Sequence, residues 1–129
     1  MNLRSAVLLT TLLLAGCSSA SMTQVHRVNA LPVPIVTADN SLHPSDDTLQ
    51  HYYQDSAQQI NRLSQSLKDD YLRDIHGEDV MNPHSEARQV FAALTHLGDL
   101  AAMNAIYLQQ QNIQGLEVIN RELVTLARR

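Results

Sequence analysis

Apolar residues from Leu49 onward keep to one helical face. Leu49, Tyr53, Ala57, Ile60, Leu63, Leu67, Tyr71 and Ile75 recur at steps of 4, 4, 3, 3, 4, 4 and 4. Their mean step of about 3.7 suits an ordinary amphipathic helix, at 3.6, slightly better than a coiled coil, at 3.5. Ser45 stands where a cap is needed, and Asp46 and Asp47 follow in the first turn, where the helix dipole favours negative charge. Gly77 is the expected terminator. A second helix is predicted from Asn82-Pro83, with the proline at the first helical position. It is apolar on most faces from Val90 to Leu108, through Phe91, Leu94, Leu97, Leu100, Met103, Ile106 and Tyr107, so it is expected to be the most buried segment. Gly98-Asp99 either breaks it or lets a neighbour approach alongside Ala101, Ala102 and Ala105; a continuous helix is the reading adopted. Beyond the polar run Gln109 to Asn112, Leu116, Ile119, Leu123 and Leu126 mark a last helix, with Gly115 expected as the separator. No strand-like alternation appears. The fold class is all-α: a small bundle of three helices, or four if Gly98 is a break.

The first half of the chain reads differently. Arg4 precedes an apolar run, Ala6 to Leu14, interrupted by Thr10 and Thr11. That is the n-region and h-region of a secretory signal, and it is short of the ~20 residues a membrane span needs. Ser18 to Ser45 is rich in Ser, Thr, Asn and Pro and lacks an evident helical stripe. Its Leu31-Pro32-Val33-Pro34-Ile35 run favours an extended course, so the segment is expected to be a disordered tether. The apolar patch from Leu31 to Val36 has two alternatives, a docking strand or packing on the helices. The boundaries expected are a signal peptide over 1–16, a lipidated cysteine and flexible tether over 17–45, and a helical domain over 46–129.

Leu14-Ala15-Gly16-Cys17 resembles the lipobox of bacterial lipoproteins at all four positions. The resemblance covers the first seventeen residues only. It implies cleavage between Gly16 and Cys17, a thioether-linked diacylglycerol on Cys17 and a fatty acyl group on the new amino terminus. One acyl chain binds a membrane marginally, at ~0.8 kcal/mol per buried CH₂, whereas two or more hold firmly. Ser18, not Asp, follows the cysteine. In Gram-negative lipoproteins that arrangement implies transfer to the outer membrane, facing the periplasm.

Removing sixteen residues leaves a mature chain with eight basic and thirteen acidic residues, a side-chain charge of −5. Such a chain lacks the basic patch that nucleic acid requires. Anionic headgroups would also repel it, so the lipid must do the anchoring. Cys17 is the only cysteine, and acylation consumes its thiol. Polar chemistry concentrates around the first inter-helix loop: Asp69, Asp70, Asp74, His76, Glu78, Asp79, His84 and Glu86. The spacing matches no metal-binding or catalytic pattern, so a solvated loop is expected. His96 is expected to be a partly buried, hydrogen-bonded histidine. No nucleophile elbow, phosphate-binding loop or Cys–His pair occurs. Neither enzymatic activity, cofactor, metal nor small-molecule substrate is expected.

The functional expectation is a lipid-anchored, periplasm-facing binding module, an accessory or assembly factor of an envelope complex. In architecture it looks like small lipoproteins of secretion, pilus and conjugation machines, including pilotins. The second helix is the expected contact face, through Leu97, Leu100, Met103, Asn104 and Tyr107. Asn104 either fixes register with a partner helix or faces water at a narrow polar edge. The expected partner is an envelope protein or a second copy of the chain. Alternatives are a structural lipoprotein touching peptidoglycan, or a regulator of a periplasmic enzyme. A likeness to the major murein lipoprotein is weakened by Arg128-Arg129 in place of a terminal lysine, and by the break between Gly77 and Pro83.

Overall fold

The computed structural model describes residues 22–37, 44–72 and 80–127, and these form a helical bundle. A short helix α1 covers 22–29, and an extended stretch follows over 31–37. The long helices are α2 (Asp46–Leu67), α3 (Glu86–Gln109) and α4 (Ile113–Ala127). No strand occurs among the described residues.

Each helix starts on a side-chain cap. Ser45 Oγ accepts from the Thr48 amide at 3.3 Å, where the sequence places the cap of α2. α2 passes into a π-helical turn, Lys68–Leu72, which keeps Tyr71 in the core. The start of α3 lies three residues beyond the expected Pro83. Asn82 Oδ1 accepts from the His84 amide at 3.0 Å and so closes a turn around the proline. Ser85 becomes the cap, its Oγ accepting from the Arg88 amide at 3.1 Å. α3 runs through Gly98 without a break.

The α3–α4 junction is a Schellman turn built without glycine. Gln111 takes the left-handed φ of 55°. Its amide donates to the Leu108 carbonyl at 3.0 Å, and the Asn112 amide donates to the Tyr107 carbonyl at 2.8 Å. Asn112 then caps α4, its Oδ1 accepting from the Gly115 amide at 3.1 Å. Gly115 therefore lies inside α4 and is not a separator. A Cβ built on it would stand 2.5 Å from Tyr107 Cγ, so only glycine admits the tyrosine ring.

The core joins Leu49, Ile60, Leu67 and Tyr71 of α2 to Val90, Ala93, Leu97 and Leu100 of α3. Leu116, Ile119, Leu123 and Leu126 of α4 are all buried, as their spacing predicts. Ser56 is buried as well, and Asn120 Nδ2 donates to its Oγ at 3.3 Å across the α2–α4 contact.

The expected tether over 17–45 is corrected for residues 22–37, which belong to the folded unit. Val25 and Val28 are completely buried, and Leu31 nearly so. These three sit three residues apart on α1 and its last turn, so one face carries all of them inward. Asn29 Nδ2 donates to the Gln89 carbonyl at 3.2 Å. The Tyr107 hydroxyl donates to the Pro34 carbonyl, and Asn112 Nδ2 donates to the Val36 carbonyl at 3.3 Å. Proline does favour the extended course of 31–37, but its carbonyls and apolar side chains are bound to the bundle.

Two outcomes follow. Val28→Ala lowers the unfolding free energy by about 2 kcal/mol in denaturant titration, because burying a Val side chain is worth roughly 1.5–3 kcal/mol; an unpacked tether would show no change. Burial, then the Asp70 carboxylate, raise the Tyr71 phenol above its ordinary value of 10.0. The neutral phenol's contribution is complete below pH 10 and is lost as pH climbs through the raised folded value. Alkaline unfolding profiles of wild type and Tyr71→Phe should diverge there, with the variant losing less.

Candidate interaction surface

The proposed lipidation site, Gly16-Cys17, lies outside the described residues. So do Asp74, His76, Glu78 and Asp79 of the inter-helix loop, and His43. The loop's described members, Asp69, Asp70, His84 and Glu86, are exposed. Among the described residues no group of three or more His, Cys, Asp or Glu is placed to hold a metal ion. His51 is exposed and pairs with Asp55 at 3.5 Å, one turn on. His96 departs from expectation: its Nε2 is buried without a hydrogen-bond partner among the described residues. It lies beside a hollow bordered by Asn29, Arg88, Phe91 and Asp99.

The predicted contact residues require correction. Leu97, Leu100, Asn104 and Tyr107 are all at most 2 % exposed, and Met103 is half-buried against the core. They hold the bundle together and offer a partner nothing. Asn104 does not face water; its Nδ2 donates to the Tyr53 carbonyl at 3.0 Å and so ties α3 to α2. Its Oδ1 has no partner. Tyr107 is spent on Gly115 and Pro34.

The surface that remains is the opposite side of α3. Phe91, Thr95, Gly98, Ala102, Ala105, Ile106 and Gln109 all face outward. They succeed one another at helical spacing over five turns without a charge. Phe91 is 50 % exposed and Ile106 is 41 % exposed, one near each end. The Arg88 guanidinium lies over the Phe91 ring, 5.7 Å from its centroid, and Asp99 flanks the middle. Water-facing helix surfaces ordinarily carry charge. α4 follows that rule with exposed Glu117 and Arg121, as α2 does with Asp46, Asp47, Asp55 and Arg62. α3 does not.

Beside this face runs a groove of about 450 Å³ between α3 and α2. Leu94, Gly98 and Ala101 form one wall, Ala57, Ser64 and Lys68 the other, and Asn104 lies among the lining residues. Gly98 opens directly onto it. A Cβ built there meets nothing within 4 Å, whereas one on Gly115 collides with Tyr107. Internal packing therefore explains Gly115 and leaves Gly98 without an internal reason.

No helix among the described residues is long and apolar enough to cross a membrane. No protein-family model, no curated protein and no solved structure matches the chain.

The two glycines predict opposite signs. Gly98→Ala raises monomer stability by about 1 kcal/mol, the helix-propensity difference for an unobstructed site. Gly115→Ala lowers it by about 1–3 kcal/mol through overpacking against Tyr107. Thermal unfolding of both variants at low protein concentration checks the pair.

Proposed function

We propose that this chain is a lipid-anchored, periplasm-facing interaction module of an envelope assembly, docking through the outer face of α3. The lipobox-like Leu14-Ala15-Gly16-Cys17 sequence and the serine after it support the address. The uncharged, five-turn outer face of α3 is the observation that carries the docking role. On a mature chain of net charge −5, a face without charge is an exception to the composition of the surface around it. Phe91 and Ile106 supply apolar anchors near its ends, and Gly98 and Ala102 let a backbone come close between them. The residues first expected to make the contact act one step back, by holding α3 in place.

Photo-crosslinking amino acids placed at Ala102 on α3 and at Glu117 on α4, in the full chain in cells, test this. Position 102 should give one dominant product and position 117 none; equal smears from both would refute the docking face. Mass analysis of the mature chain tests the address, with an acylated Cys17 as the first residue expected.

A further inference from the structure

The identity of the partner is open to the same physical reading, and rests on that face being a docking surface. We infer that the outer face of α3 binds the same face of a second copy, the two helices antiparallel about a two-fold axis beside Gly98. The pattern on α3 is complementary to itself. Phe91 and Ile106 lie equally far on either side of the Gly98–Asp99 bond. Antiparallel crossing there sets the phenyl ring of each copy against the isoleucine of the other, and Thr95 against Ala102. An isologous contact requires such pairing, with residue i on j and j on i.

Charge selects the same orientation. Arg88 stands in the first turn of α3, where its own helix dipole opposes a cation. Lys68 lines the groove beside it at that end. The last turn of α3 holds no basic residue, so its negative dipole end is left without a compensating cation. An antiparallel partner brings that end to Arg88 and Lys68 in both halves of the pair. A parallel partner would place like ends together.

Two features of the isolated chain find a reason in this contact. Gly98 costs about 1 kcal/mol relative to alanine inside a helix, and nothing in the chain lies within 4 Å of the position its Cβ would take. A helix crossing at that point uses the space. Asn104 is 1 % exposed and lines the α2–α3 groove, yet its Oδ1 has no donor. A second helix over Gly98 brings polar groups to the mouth of that groove. Two-fold symmetry also suits a surface-anchored chain, because an axis normal to the membrane puts both amino termini on the same side.

The test uses the processed, lipid-bearing full chain in detergent. Sedimentation equilibrium should show reversible dimerisation, weakened at least tenfold by Gly98→Leu and by Arg88→Glu. Circular dichroism should show both variants still folded. For register, a Thr95→Cys chain mixed with an Ala102→Cys chain should be joined by a short bismaleimide, and neither chain should join to itself. A chain that stays monomeric at every attainable concentration overturns the inference, as does linkage of position 95 to position 95. Should that monomeric chain still crosslink in cells from position 102 to a different protein, the inference falls while the docking face stands. Absence of any product from position 102 removes both.

Discussion

Tyr107 is the constraint on which the rest of the packing depends. Its ring lies on Gly115, which brings the start of α4 against the end of α3. Its hydroxyl holds the Pro34 carbonyl, which fixes the extended stretch to the same junction. One side chain therefore joins three parts of the chain that are distant in sequence. Asn112 reinforces it from the adjacent turn, capping α4 with its oxygen while its amide nitrogen holds Val36. With no disulfide available to so small a domain, polar contacts of this kind decide which arrangement of helices is unique, while the leucines supply bulk attraction.

Much of the helical layout was legible because periodicity and capping are local properties. The stripe from Leu49 to Tyr71, the Ser45 cap and the α4 leucines needed no tertiary information. Polar residues in the core were not legible. Ser56 and Asn104 resemble surface residues until the Asn120 amide and the Tyr53 carbonyl are known to face them. The α1 segment failed for a related reason. Val25, Val28 and Leu31 do form a stripe, but a short one, set in a composition typical of linkers and closed by proline.

The candidate surface was the hardest part to read. A helix that is apolar all round gives no sequence signal for which side its neighbours cover. The face carrying Leu97, Leu100 and Tyr107 and the face carrying Phe91 and Ile106 have similar hydropathy, and the first was expected to be free. The structure assigns the first to the core and leaves the second open. A usable signal was present in residue size: the covered face is mostly bulky, while the open one is mostly glycine and alanine between two large residues.

The early entry of the chain into its fold also changes how the molecule sits in its surroundings. Helix α1 is already under way at residue 22, five positions after Cys17. Five residues span at most about 18 Å when fully stretched. With the anchor in place, the bundle is confined to a layer hardly thicker than itself, grazing the headgroups. Such a molecule explores a plane, not a volume. Encounters are then governed by surface density and tilt, and a contact too weak to persist in dilute solution can be well populated there.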